Sequence, residues 1–133
     1  MPRALITGAS GFAGSHLAER LARSGGWEVI GLSARPSPPS PYVLQHLVCD
    51  LLNGELVRRT LSYWRPDVVF HLAAVSYVPR SFQDPVGTIA NNIIGQVHVL
   101  EAARGLDPPP VVIVVSSSDA YGLVREDELP VQE

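Results

Sequence analysis

The stretch Thr7 to Leu17, TGASGFAGSHL, limits the fold more than any other part of the chain. It sets Gly8, Gly11 and Gly14 at three-residue spacing, behind the apolar run Arg3 to Thr7 and ahead of a segment in which Leu17 and Leu21 stand four apart. An apolar run, glycines and then a helical period predict a strand, a tight turn and a helix from Ala13 to Ser24. Without Cβ atoms the turn can bend sharply and bring the N–H groups of the helix N-terminus against an anion, which the helix dipole also favours. Thr7, Gly8, Gly11, Phe12, Ala13 and Gly14 are therefore expected around a dinucleotide pyrophosphate, the competing reading being a merely tight turn. Gly31, farther along, is expected to tolerate alanine without loss of cofactor binding.

The rest of the chain repeats the alternation. Trp27 to Leu32 reads as a second strand after the helix stop Gly25-Gly26, and Leu44 to Cys49 as a third beyond a Pro/Ser-rich surface loop, Ser33 to Pro41. Asn53 is a suitable cap for a helix to about Tyr63, closed by Arg65-Pro66. Asp67 to Ala73 (DVVFHLA) reads as a fourth strand buried on both faces. Asp84 as N-cap and Pro85 as first helical residue then begin a helix to about Arg104, marked by Ile89, Ile93, Val97 and Leu100. Val111 to Val115 (VVIVV) is the most β-branched run. Strands alternating with helices predict an α/β fold with a doubly wound parallel sheet of about five strands, a Rossmann fold filling one domain over residues 1–133.

Composition narrows the chemistry. A length of 133 residues suits a single core, and 46 % hydrophobic against 17 % charged residues with a net charge of −3 suits a globular chain with no basic excess for nucleic acid. All ten Lys+Arg residues are arginine, so a Schiff base, a Walker-type clamp or a Tyr-Lys relay cannot be completed within this polypeptide. The single cysteine, Cys49, removes disulfide frameworks and multi-cysteine zinc sites. With no apolar run of bilayer length and no signal pattern after Met1-Pro2-Arg3, a cytoplasmic protein without a membrane partner is expected.

The glycine spacing resembles that of the short-chain dehydrogenase/reductase superfamily. Its extended members, the NAD-dependent epimerase/dehydratase family acting on nucleotide sugars, are resembled further at His71-Leu72-Ala73-Ala74, at SYVPRSFQDP (Ser76 to Pro85), at NIIG (Asn92 to Gly95) and at VSSSDAYG (Val115 to Gly122). The resemblance implies that Leu72, Ala73 and Ala74 border the nicotinamide ribose, and that Asp50 with Leu51 faces the adenine. Asp50 reads equally well as a turn aspartate. Asn92 is expected either in a proton relay beside the cofactor or in a structural role at a helix kink. Ser76, Tyr77 and Arg80 are expected substrate contacts. His71 reads as a satisfied strand histidine rather than a base. The second strand ends Gly31-Leu32-Ser33-Ala34-Arg35, with no acid for the ribose hydroxyls and one arginine, so NADP(H) is favoured over NAD(H), a solvated loop charge being the bland reading of Arg35.

Ser117 matches the family's serine that hydrogen-bonds the sugar's keto or alcohol oxygen, and Ser118 and Asp119 follow it as further catalytic candidates. Dehydratases generally carry glutamate where this chain has Asp119. That departure, with SYVPRSF, resembles the GDP-4-keto-6-deoxymannose reductases, with GDP-mannose 4,6-dehydratases and UDP-sugar 4-epimerases as alternatives and a non-catalytic dinucleotide sensor as the reading of another class. The resemblance also implies a nucleotide-sugar substrate and a homodimer for the whole protein. The family's Tyr-x-x-x-Lys pair has no counterpart, since no tyrosine here is followed by lysine. The chain is therefore expected to be the N-terminal part of a longer enzyme and inactive alone.

Overall fold

In a computed structural model, residues 1–131 are described. Five parallel strands lie in the order β3-β2-β1-β4-β5: β1 Arg3–Thr7, β2 Glu28–Ser33, β3 Gln45–Val48, β4 Val68–His71 and β5 Val111–Val114. The order reverses between β1 and β4, so the loops after these two strands leave in opposite directions and open a crevice at their carboxyl ends. Helix α1 (Phe12–Arg23) lies on one face of the sheet, where Ala18 packs with Ile6, Ala9 and Val29. Helix α2 (Gly54–Trp64) lies on the other, where Val57 and Leu61 join Leu5, Leu32, Val69 and Val99. Adjacent residues of β1 serve opposite clusters, which is why that strand reads as an unbroken apolar run.

The sequence signals for helix ends hold. Asn53 caps α2 by accepting from the Leu56 N–H at 3.0 Å, and Asp84 accepts from the Gly87 N–H at 2.9 Å with Pro85 as first residue of α4 (Pro85–Ile89). A short helix the sequence reading did not foresee, α3 (Val78–Gln83), comes just before. The long helix expected to Arg104 is interrupted by a π turn, Ala90–Ile94, before it continues as α5 (Gly95–Arg104). A polar clamp accompanies the turn: Asn92 Oδ1 accepts from the Val75 N–H at 2.7 Å and its amide donates to the Val75 carbonyl at 3.1 Å.

Two expectations are corrected. Ile89, Ile93, Val97 and Leu100, whose spacing marked the helix, are exposed, while Gly95, Val99, Ala102 and Ala103 form the buried side. Small residues let the helix lie close to α2, so its larger aliphatics are left outward. Gly31 does not tolerate a methyl freely, because a Cβ there would stand 2.9 Å from the Ala9 Cβ and 3.2 Å from Val43 Cγ1. Ala9 belongs to the glycine turn, so alanine at Gly31 pushes on the site itself.

Candidate functional site

The carboxyl ends of β1 to β4 border a groove of about 500 Å³. The glycine turn forms one wall. Gly8 has φ +72°, and a Cβ on it would lie 3.0 Å from the Ala73 nitrogen, so the turn and the segment after β4 touch backbone to backbone. Gly14 is tighter still, since its Cβ would fall 2.2 Å from the Gly8 carbonyl oxygen. Gly11 caps α1 with no side-chain partner, and no acidic residue stands in that helix's first turn. The N–H groups of the first turn therefore meet the groove without a side-chain acceptor, an arrangement suited to an anion. Phe12 and Ala13 line the same wall, with the Phe12 ring edge-on to His16 at 4.7 Å.

Beneath the groove Thr7 ties β1 to β4. Its Oγ1 accepts from the Leu72 N–H at 3.2 Å and the Ala73 N–H at 3.1 Å, and it lies 2.8 Å from His71 Nδ1. With both lone pairs engaged, the Thr7 hydrogen goes to Nδ1, which by this network assigns His71 as the neutral Nε2–H tautomer. Burial pushes the His71 pKa down, in agreement with a structural histidine. Asp50 divides its carboxylate: Oδ1 accepts from the Leu52 N–H at 2.9 Å in an aspartate turn, which leaves Oδ2 for the groove. Leu51 beside it is anchored from α5, where His98 Nδ1 lies 2.7 Å from the Leu51 carbonyl oxygen.

At the other end, Leu72, Ala73, Ala74 and Ser76 border both the groove and an adjoining cavity of about 620 Å³ at the ends of β4 and β5. Ser117 and Asp119 line that second cavity, as does Asn92, whose amide is committed to Val75, whereas Asn91 lines the groove. Ser117 Oγ accepts from the Asp119 N–H at 3.2 Å, which caps the short 3-10 turn Ser118–Tyr121 and leaves the hydroxyl hydrogen available to a ligand. Ser118, Tyr77, Arg80 and Arg35 border neither cavity. Tyr77 and Arg80 are exposed at the start of α3, and Arg35 is exposed one residue past Ala34, which does line the groove. Sequence reading missed the hydroxyls of Ser10 and Ser33 at the groove wall and His46 behind them, which parallel pairing sets opposite Gly31. Ser10 stood in view inside the glycine turn, but His46 gave no signal because its role depends on strand pairing.

Comparison with known proteins agrees with this geometry. The sequence model of the NAD dependent epimerase/dehydratase family matches residues 4–133. The chain is 35 % identical over 132 residues to the GDP-6-deoxy-D-mannose reductase of Pseudomonas aeruginosa, covering 98 % of this chain and 39 % of the relative. It is 37 % identical to the GDP-mannose 4,6-dehydratase of Vibrio cholerae, covering 92 % and 37 % respectively. Among solved structures, an NAD dependent NDP-hexosamine 5,6-dehydratase involved in tunicamycin biosynthesis superposes with a TM-score of 0.80 at 36 % identity, over all of this chain and 42 % of that one. The chain thus spans about two fifths of the length of these relatives. No helix among the described residues is long and apolar enough to cross a membrane. Glycine turn, split sheet, strand-end serines and sequence likeness agree, and this chain belongs to the NAD dependent epimerase/dehydratase family.

Proposed function

We propose that the protein carrying this chain is an NADP(H)-dependent oxidoreductase that reduces a 4-keto sugar on a nucleotide, GDP-4-keto-6-deoxymannose above all. The observation that carries this reading is the cavity at the ends of β4 and β5, where Ser117 presents a free hydroxyl hydrogen beside a groove shaped for a dinucleotide. The uncapped N-terminus of α1, with Gly8, Gly11 and Gly14 around it, fits a pyrophosphate, and the free oxygen of Asp50 fits the adenine amino group. When bound, the reduced cofactor would supply a hydride to the keto carbon.

The chain's own residues divide the remaining work. Thr7 and the Ala73 backbone fix the floor on which the nicotinamide ribose rests, and Ala13 and Ala74 line both cavities. Ser117 holds the keto oxygen, while Ser76, at the junction, with Tyr77 and Arg80 beyond it, receives the sugar nucleotide. The proton for the developing alkoxide is assigned to the family's Tyr-x-x-x-Lys pair, which this lysine-free chain does not contain. We therefore assign the 133 residues to cofactor binding within a longer cytoplasmic enzyme, working as a homodimer for which the outward aliphatics Ile89, Ile93, Val97 and Leu100 offer a surface.

Asp119 favours reduction over elimination. Removing water requires an acid and a base around C5 and C6, whereas keto reduction needs only a hydride and one proton donor near the carbonyl. A shorter acid at the head of a 3-10 turn suits the second case. The dehydratase is the second reading, supported by the 37 % identity to the Vibrio enzyme. In the full-length protein, NADPH consumption with GDP-4-keto-6-deoxymannose should survive Asp119→Asn largely intact and fall by about a hundredfold or more in Ser117→Ala. The chain alone should bind the cofactor without turnover. Release of a 4-keto-6-deoxy sugar from GDP-mannose without net NADPH use, abolished by Asp119→Asn, would promote the dehydratase instead.

A further inference from the structure

A line of four polar side chains runs from the Pro/Ser-rich loop to the groove wall. Ser37 Oγ lies 2.9 Å from His46 Nδ1 and 3.3 Å from its Nε2, over the ring, while His46 Nε2 lies 2.9 Å from Ser33 Oγ, and Ser33 Oγ lies 2.9 Å from Ser10 Oγ. The Ser10 N–H also reaches Ser33 Oγ, at 3.3 Å. Ser10 and Ser33 face the groove beside Gly11 and Ala34. On its other side Ser10 borders a cavity of about 160 Å³ that it shares with His46, Ser37 and Ser40. The end of β2 is where a dinucleotide presents its adenosine ribose, so Ser33 stands where an NAD-type Rossmann fold offers a carboxylate, with Ser10 of the glycine turn hydrogen-bonded to it.

The hydrogens in such a line cannot be placed independently. Ser33 Oγ has one hydrogen and two lone pairs, and the Ser10 N–H takes one of the pairs. If His46 carries its proton on Nε2, it fills the second pair, the Ser33 hydrogen must go to Ser10 Oγ, and the Ser10 hydrogen is left to donate outward. Should His46 carry the proton on Nδ1 alone, Ser33 donates to Nε2, Ser10 donates to Ser33, and Ser10 offers only lone pairs. A donor at Ser10 suits a 2′-phosphate, which has acceptor oxygens only at its anionic end. An acceptor there suits a 2′-hydroxyl. The Nε2–H is present both in one neutral tautomer and in the imidazolium, and the orientation in which Ser33 donates to Ser10 is the one it imposes.

We propose that His46 is a positioning residue that sets the direction of the His46–Ser33–Ser10 hydrogen bonds so that Ser10 donates to the 2′-phosphate of an NADP-type cofactor. The inference rests on the NADP(H) reading above and deepens it, since it assigns selectivity to a β3 residue outside the groove as well as to Arg35. His46 never touches the cofactor in this arrangement. Its effect passes through two hydroxyl groups, so it should alter discrimination between nucleotides and leave the pyrophosphate site unchanged.

The test is calorimetric titration of this chain with adenosine 2′,5′-bisphosphate and with 5′-AMP, for the wild type, His46→Leu and His46→Gln. The wild type should favour the bisphosphate by about tenfold or more, as expected for charge-assisted hydrogen bonds. His46→Leu should lose most of that preference while its 5′-AMP affinity holds, and His46→Gln, whose amide N–H can replace Nε2–H toward Ser33, should keep it. Nitrogen-15 shifts of the His46 imidazole in the bisphosphate complex should show Nε2 protonated. A preference for the bisphosphate that His46→Leu leaves intact, or an Nδ1–H tautomer in the complex, overturns the role of His46 and leaves the NADP reading standing. Equal or weaker bisphosphate binding by the wild type, or no binding of either nucleotide, removes the NADP reading and the role of His46 with it. A His46→Leu chain that melts at much lower temperature shifts the decision to His46→Gln, where lost preference with an unchanged melting temperature counts against the relay.

Discussion

Ile6 of β1 and Ile113 of β5 occupy one row of the sheet, each paired with Phe70 between them. Ile6 is fully buried and Ile113 is 43 % exposed. The contrast extends along both strands: Ala4, Leu5 and Ile6 are sealed, while Val111, Ile113 and Val114 face solvent. Helix α1 covers its face of the sheet over β1 and β2 but does not reach β5, where only Val112 packs inward, against the cluster on the opposite face. The functional residues follow the same division. Those around the glycine turn are fixed by backbone contact and by Thr7, whereas Ser117 and Asp119 are held by one short turn among exposed residues. The cofactor side is thus closed by this chain's own core, and the reacting side is open.

The largest effect should come from breaking the closed side at its tightest point. A side chain on Gly14 would meet the Gly8 oxygen at 2.2 Å and the Ala9 Cα at 2.8 Å, and backbone cannot yield as a flexible side chain can. Gly14→Val should therefore cost about 3 kcal/mol or more in urea unfolding and abolish nucleotide binding. Gly26→Ala is the control, since nothing stands within 4 Å of its Cβ position, and it should change stability by about 0.5 kcal/mol at most. A Gly14→Val chain as stable as wild type would mean that the turn can rearrange, and the case for a rigid phosphate cradle would go.

That closed side was also the legible one. Gly8, Gly11 and Gly14 announce themselves because backbone conformation and close approach are encoded locally, and Asn53 and Asp84 do so because a cap needs only its own first turn. Five strand-like runs and the sheet class follow from local pattern in the same way. What stayed hidden depends on partners distant in sequence. The sequence admits a structural role for Asn92 at a helix kink, but its partner Val75 shows only in the folded chain, the outward direction of Ile93 and Val97 only with α2 packed on small residues, and His46 only with β3 set beside β2. Arg35 remains a matter of sequence, being exposed beside the groove with no hydrogen bond or ion pair among the described residues.

The row that holds Ile6 and Ile113 permits a direct measurement of the contrast. Ile6→Ala empties a fully buried site and should cost about 2–5 kcal/mol. Ile113→Ala removes the same atoms from a half-open one and should cost about 1 kcal/mol or less in this chain. In the longer enzyme proposed above, a segment laid over that face would raise the cost of Ile113→Ala towards that of Ile6→Ala, with Ile6→Ala itself unchanged. Equal costs for the two substitutions in this chain would show that β5 is already covered, and the division into a closed and an open side would fail.

The smallest effect concerns the seam between the two sides, where Thr7 of β1 meets His71 of β4. His71 is 5 % exposed, and its burial lowers its pKa below that of a histidine in the unfolded chain. As pH falls below the ordinary histidine range, the unfolded chain takes up a proton there that the folded chain resists. Unfolding is thereby favoured, and stability present in full above that range declines on acidification. Protonating Nδ1 would also set a hydrogen against the one Thr7 donates, whose oxygen is already engaged by the Leu72 and Ala73 N–H groups. His46 is displaced in the same direction by burial, so the wild type should lose stability through both residues between pH 7 and 5. His71→Asn keeps an acceptor for Thr7 but cannot titrate, so its urea midpoint should fall less steeply over that interval, the remaining slope belonging in part to His46. If His71→Asn declines as steeply as the wild type, the proton is being taken up elsewhere, and the Thr7–His71 contact is not the acid-sensitive point of the seam.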